Sequence, residues 1–332
     1  MNSLKTVEPR PWDSINSLKL YFYDAWSEPE PQNPHPDSIF NYLPPTVSNL
    51  DLYLGYKDGM VATNDQLHLH IPEIILANLT TFTFSYDWNG TMMLKILQSC
   101  TNVENLSLDF LGSSLKYEDT PFIEGAFQEG LLLPKVRTLH LDRILPKMVN
   151  FVQALRTPSL VELHFTFHTK ITDPRSFSDL ACISDKFAGH VLSLVGRSGC
   201  QGTLRKFRLN SANISNSQLT LILLNLPFLT HLTLDNTFFD PTPFGDVDLV
   251  YGPAPPFLPC LEVLELLRLS SDFPHGDIEF FAIVRRESQE PPGSLKKLVM
   301  TFRTHRPPNL SVLVNSFRGR YSIETTHFAF VK

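Results

Sequence analysis

The sequence predicts an α/β solenoid, a horseshoe in which short parallel strands line the concave face and helices pack outside. Three observations predict it. The frame Pro-x-apolar-x-x-apolar-x-apolar recurs as "PTVSNLDL", "PKVRTLHL", "PSLVELHF", "PFLTHLTL" and "PCLEVLEL". A residue that interrupts a helix stands two places before the first apolar position: Pro45, Pro134, Pro158, Pro227 and Pro259, with Gly202 and Gly293 in the same place. Proline lacks the N–H a continuing helix needs, and glycine ends helices. Finally, several segments between the frames carry apolar residues at helical spacing.

Aligned on the middle apolar residue, the frame places strands at Leu18, Leu50, Phe82, Leu106, Leu139, Leu163, Phe207, Leu232, Leu264 and Leu298. Most steps fall within or just beyond the range of leucine-rich repeats, with a longer one before Phe207. The expected architecture is therefore a single leucine-rich-repeat domain over residues 1–332, with about ten irregular repeats. Between the third and fourth strands "TMMLKILQSC" (91–100) has helical periodicity. "KYEDTPFIEGAFQEG" (116–130), before the fifth strand, is expected to be an acidic loop. "PKMVNFVQALRT" (146–157) is a helix before the sixth. The long interval before Phe207 holds the largest expected helix, "DPRSFSDLACISDKFAGHVLSLVGRS", with Asp173 as cap and Pro174 in its first turn. "NSQLTLILLNL" (216–226) and "DIEFFAIVRR" (277–286) are helical. "DAWSEPEPQNPHPDS" (24–38) and "DPTPFGDVDLVYGPAPP" (240–256) are further loops, of the kind that gathers on one edge of a solenoid, often the binding edge.

Side chains alternate along a strand, so Val136, Leu139 and Leu141 hold the core while Thr138 and His140 face the hollow. The central outward row then reads Lys19, Asp51, Thr83, Ser107, His140, His164, Arg208, Thr233, Glu265 and Val299. Two groups on this face are candidate partner-binding residues. The first is aromatic: Tyr21, Tyr23 and Trp26, then Tyr53 and Tyr56, then Tyr86 and Trp88. Tyr and Trp anchor interfaces because they bury large area at low rotamer cost; the competing expectation is that several of these rings cap the first repeats or pack under loops. The second is His140, His164, Lys206, Arg208 and His231, which would receive an acidic peptide or a phosphorylated residue. Asp109, Asp142 and Glu162 lie near enough to neutralise it, which would leave an ordinary hydrated face. No metal is expected, since His140 and His164 need a third ligand in register and His68-x-His70 alone is equally short of donors.

Composition excludes other classes. Forty-two per cent hydrophobic and 19% charged residues describe an ordinary folded domain. A net charge of -6 argues against a nucleic-acid surface, which needs clustered Lys and Arg. The most apolar run, "LTLILLNLPFL" (219–229), is broken by Asn225 and Pro227 and falls short of a membrane span. Four dispersed cysteines with no CxxC spacing suggest a reducing compartment, so a cytoplasmic or nuclear location is expected; the five Asn-x-Ser/Thr sites are close to the roughly three expected by chance. There is no HExxH, GxGxxG or GxxxxGK[ST], and "GRSGC" (196–200) lacks the GxSxG spacing. No enzyme activity and no cofactor are expected.

Repeats such as "LPCLEVLEL" and "TPSLVELHF" resemble the leucine-rich-repeat region of fungal, basidiomycete-type F-box-like proteins. The resemblance covers nearly the whole chain. It departs from the stricter consensus, which has Asn or Cys after the strand where this chain has Leu111, Ala212 or Thr237, so a regular asparagine ladder is not expected. The resemblance implies substrate recognition for an SCF-type ubiquitin ligase. An F-box would dock the ligase adaptor, but its nearest echo, "SIFNYLPP" (38–45), sits inside the repeat array, and the chain is expected to begin within or just before the first repeat. An adaptor is thus a partner only if the box is missing from this chain. The alternative is a stand-alone scaffold, inhibitor or GTPase regulator, because a fold does not determine its function.

Overall fold

The computed structural model describes residues 14–25, 39–55, 71–85, 89–111, 120–168, 180–183, 185–246, 257–270, 272–287 and 295–303. The chain alternates strands with helices or turns. It runs through β1 (Ser17–Ala25), β2 (Asn49–Gly55), α1 (Glu73–Asn78), β3 (Thr81–Ser85), α2 (Gly90–Ser99), β4 (Asn105–Asp109) and α3 (Pro121–Glu129). Then follow β5 (Leu131–Leu132), β6 (Thr138–Ile144), a 3-10 helix (Pro146–Ala154), β7 (Leu155–Arg156), β8 (Glu162–Phe167), β9 (Ala181–Cys182) and α4 (Phe187–Ser198). The remainder comprises β10 (Lys206–Asn210), β11 (Ala212–Asn213), α5 (Asn216–Leu224), β12 (His231–Asp235), α6 (Thr242–Gly245), β13 (Val263–Leu269), α7 (Gly276–Glu287) and β14 (Lys297–Phe302).

Ten strands form one sheet in the order β1-β2-β3-β4-β6-β8-β10-β12-β13-β14, every pair parallel. Leu18, Leu50, Phe82, Leu106, Leu139, Leu163, Phe207, Leu232, Leu264 and Leu298 pair in one unbroken row. This is the α/β leucine-rich-repeat solenoid that the frame predicts. From Leu50 to Leu298 the row is buried, and each leucine withdrawn from water contributes about 1.5–3 kcal/mol. Strands repeat about every 4.8 Å while helices are about 10–12 Å across, so the stack curves with the sheet on its inner side.

A backbone relay ties the repeats together just before each strand. The carbonyl of Asn16 accepts from Ser48 and Asn49, that of Ser48 from Thr80 and Thr81, and that of Thr80 from Glu104 and Asn105. The same two-donor bond recurs at Glu104, Arg137, Val161, Arg205, Thr230 and Glu262, ending on Lys296 and Lys297.

The prolines act differently from simple helix stops. Val47, Val136, Leu160, Leu229 and Leu261 donate to the carbonyls of Pro44, Leu133, Thr157, Leu226 and Leu258, three residues back. Pro45, Pro134, Pro158, Pro227 and Pro259 therefore occupy the second position of a β-turn, where a fixed φ near -65° is already correct. They turn the chain into the strand.

Helix boundaries match three expectations and revise three. Segments 91–100, 216–226 and 277–286 match α2, α5 and α7 to within two residues at each end. Asn89 caps α2 by accepting from the Met92 N–H at 2.8 Å, and Ser215 caps α5 by accepting from Gln218. The expected loop at 116–130 instead contains α3, because Thr120 accepts from the Ile123 N–H, Pro121 fills the first turn, and Gly130 ends the helix at φ 82°. Segment 146–157 is helical but coils as 3-10. β6 runs on to Ile144 and Leu155–Arg156 pair with Leu131–Leu132, leaving Leu145 and the nine residues of the 3-10 helix between them. A 3-10 helix rises about 2.0 Å per residue rather than 1.5 Å, so it crosses the layer with fewer residues. In the long interval α4 begins only at Phe187, after Ala181–Cys182 have paired with Ala212–Asn213; Asp173 and Pro174 lie outside the described residues. Among the described residues no helix is long and apolar enough to cross a membrane.

Candidate functional site

The sheet presents three outward rows toward its inner side. The middle one follows the hydrogen-bonded register: Lys19 beside Asp51, then Thr83, Ser107, His140, His164, Arg208, Thr233, Glu265 and Val299. One flanking row carries Asn105, Thr138, Glu162, Lys206 and His231, and the other carries Tyr21, Tyr53, Ser85, Asp109 and Asp142.

At the first two strands Tyr21 and Tyr53 stack with ring centroids 4.6 Å apart and planes 12° from parallel. Tyr21 is 47% exposed. The Lys19 ammonium lies 5.1 and 5.5 Å from the two ring centroids and 3.0 Å from the Asp51 carboxylate. Its hydrogen bonds to Tyr21 and Asp51 raise its pKa above the usual lysine value, while partial burial and the Asp51 charge raise that of the Tyr53 phenol. The two tyrosines thus lie on the sheet face as one stacked platform. Tyr86 and Trp88, with Trp26 and Tyr56, lie outside the described residues.

In the centre β6, β8 and β10 bring His140, His164, Lys206 and Arg208 together, with His231 beside Lys206 on β12. The two imidazoles stack at 4.1 Å, 3° from parallel. Glu162 faces them from the neighbouring row: its Oε1 is 2.9 Å from His164 Nε2 and 3.8 Å from His140 Nε2, and its Oε2 is 3.2 Å from Lys206 Nζ. Burial would raise the Glu162 carboxyl, but the Lys206 hydrogen bond and the imidazoles outweigh it and hold it below its ordinary value. Burial, then the neighbouring His140, pushes His164 down to about 4. Burial and Lys206 also lower His231, whose Nδ1 is 2.8 Å from Thr230 Oγ1.

Arg208 is committed elsewhere. Its guanidinium donates to Asp235 Oδ2 at 2.8 Å, and Arg268 donates to the other oxygen at 2.6 Å and to Asn210 at 3.0 Å. Arg143 pairs with Asp109 in the same way. Arg143 and Arg268 occupy the same place in their repeats and both have left-handed backbone, φ 51° and 55°. That conformation costs a non-glycine residue on the order of 1 kcal/mol, and here the arginine–aspartate bonds on the preceding strand offset it. Ser85 and Ser107 donate to Asp109 and Asp142, and Lys297 pairs with Glu265.

The five basic residues expected to form an anion receptor are neighbours, but their charge is largely compensated from within. Lys206 is paired with Glu162, Arg208 with Asp235, and burial disfavours the charged forms of His164 and His231. The third donor that spacing alone did not supply for His140 and His164 is Glu162, two residues from His164 on the same strand face. Its signal was the Glu-x-His pair within a strand frame. The Asp235 hub had no such signal, because Arg268 reaches it through its left-handed backbone at a register shift within β13.

Among the described cysteines, Cys100 and Cys200 are buried free thiols, pushed up to about 12 and about 11 by loss of water. Such thiols are poor nucleophiles.

No protein-family model matches the chain, and no curated protein matches it. Among solved structures it is similar to an internalin (inlF) from Listeria monocytogenes, at 16% identity and a TM-score of 0.30, over 89% of this chain and 84% of that one. The ten-strand parallel ladder itself, rather than so loose a likeness, identifies the fold.

Proposed function

We propose that this chain is a protein-interaction module that receives a partner on the concave face of its sheet, with the adjoining loops as the rim. The observation that carries the reading is the Tyr21–Tyr53 platform: two stacked rings on an open sheet face, one of them nearly half exposed, with a lysine over both. Rings held in place offer contact area at little ordering cost, which is what an interface anchor needs. His140, His164, Lys206, Arg208 and His231 continue the same face, and with their charges compensated they suit a polar partner surface better than a strongly anionic one. Tyr86 and Trp88 belong to the proposal through their place in the sequence.

More narrowly, the partner is a client of an SCF-type ubiquitin ligase, in a cytoplasmic or nuclear setting. Support for this comes from the repeat resemblance alone. Affinity purification of the tagged full chain from its host, quantified by mass spectrometry against Tyr21→Ala/Tyr53→Ala, tests both levels. A specific partner is expected to fall at least about tenfold in the double variant, and partners indifferent to it would refute the concave-face reading. Recovery of the ligase adaptor with the client supports the ligase reading, whereas a client without the adaptor favours a stand-alone regulator.

A further inference from the structure

The centre of the sheet holds a set of donors that pairing of charges does not explain. Among the described residues, one ligand atom each from His140, Glu162 and His164 lies within 4.8 Å of the other two. The three come from adjacent strands whose register is set by the backbone ladder, so their approach does not depend on a loop. His140 Nε2 is shielded from solvent and makes no hydrogen bond. A buried nitrogen without a partner is unfavourable, and here it faces a carboxylate oxygen 3.8 Å away, too far to accept from it. We propose that His140, Glu162 and His164 form a binding site for a divalent transition-metal ion, with zinc the ion that suits them.

Two imidazole nitrogens and one carboxylate oxygen match the borderline character of zinc, which has no preferred geometry of its own and takes such ligands at about 2.0–2.2 Å. Side-chain rotation completes the site. A ring nitrogen binds a metal in the plane of its ring, and the two rings lie in parallel planes, so each tilts out of the stack toward the other. The ion replaces the contact between Glu162 Oε1 and His164 Nε2 and satisfies His140 Nε2 in the same step. Three protein ligands leave a coordination position for water on the open side of the sheet. The opposing charge is Lys206, 3.2 Å from the second oxygen of Glu162; Arg208 is turned toward Asp235, and His231 stands beyond Lys206.

This arrangement has a signature that a purely structural cluster lacks. Removing Lys206 frees Glu162 and deletes a nearby positive charge, so it strengthens metal binding while removing an ion pair. The test is titration of zinc chloride into the metal-free full chain by calorimetry, with cobalt(II) absorption reporting coordination number. One equivalent is expected to bind with a four-coordinate cobalt spectrum. His140→Ala, His164→Ala and Glu162→Gln are each expected to weaken it by at least about tenfold, and Lys206→Met to tighten it about threefold to tenfold. Circular dichroism of each variant separates loss of ligand from loss of fold, and Glu162→Gln keeps the shape of the side chain. A dissociation constant weaker than about 1 mM overturns the proposal. So does binding that survives His140→Ala with His164→Ala but disappears in His68→Ala/His70→Ala, or weaker binding in Lys206→Met.

Discussion

At the N-terminal edge of the sheet Lys19 and Asp51 stand 3.0 Å apart in the middle outward row, with Tyr21 and Tyr53 stacked beside them. In the centre the same middle row holds His140 and His164, with Glu162 beside them. The repeat frame is identical, yet the two regions differ in depth. β1 has a neighbour on one side only, and its inward Leu18 and Leu20 are half-buried; Leu139, Leu141, Leu163 and Phe165 are wholly buried. The outward residues follow suit. The Lys19 side chain is 53% exposed, whereas those of Glu162 and His164 are 22% and 20% exposed. Water screens the Lys19 end of the edge pair, so its ion pair with Asp51 contributes little to stability, and the Tyr21 ring stays open for contact. Neighbouring groups shift one another's titration in both regions, but for Glu162 and His164 in the centre burial is the largest influence, whereas for Lys19 at the edge it is hydrogen bonding. Position in the stack thus sets how much of an outward side chain is left for a partner to touch.

The largest break in that comparison comes from the inward row. Leu141→Ala leaves a cavity in a filled core and is expected to cost about 2–5 kcal/mol by urea denaturation. Leu20→Ala at the edge should cost no more than about half of that, and equal losses would mean that the edge repeat is as deeply packed as the centre. Next comes the carboxylate of Asp235, which holds two arginines. Asp235→Ala is expected to cost about 1–3 kcal/mol, against about 0–1 kcal/mol for Asp51→Ala, which loses one pair with an exposed lysine. A double-mutant cycle with Arg268→Ala apportions the Asp235 loss between its two partners.

The smallest effect is a slope with pH in the metal-free protein, measured with a chelator present. The folded His164 titrates at about 4, below its ordinary 6.5, so between those values the unfolded chain binds a proton that the folded chain does not. Its contribution is complete above pH 6.5 and is lost as the pH falls toward 4. Glu162, also held below its ordinary value, acts in the same direction at lower pH: its contribution is lost as the pH falls through its folded value. The melting temperature of the wild type should therefore drop more between pH 6.5 and 4 than that of His164→Gln. Parallel curves would show that the stacked pair carries no titration-linked stability.

Much of the fold was legible because its signals are local. A leucine at every second strand position and a proline at a turn position act within a few residues, and the middle row from Lys19 to Val299 follows from aligning them. Helix α3 was less legible, since the acidic and glycine-rich look of residues 116–130 masked its Thr120-Pro121 start. The 3-10 turn at 146–154 was illegible, because it reflects how few residues remain between β6 and β7. The candidate site divides in the same way. Its rows were readable, but the compensation of the basic residues was not, because Asp235 and Arg268 meet through a left-handed residue at a register shift that no spacing announces.

By itself, then, the sequence determined a stacked parallel sheet, its inward and outward faces and the order of side chains along them, since alternation and turn chemistry are properties of each short segment. Only the tertiary structure decided which outward groups touch: Tyr21 on Tyr53, Glu162 between two imidazoles and a lysine, Asp235 between two arginines. Those contacts cross gaps of many residues, and their geometry depends on the register, burial and left-handed backbone positions that arise when neighbouring repeats close on one another.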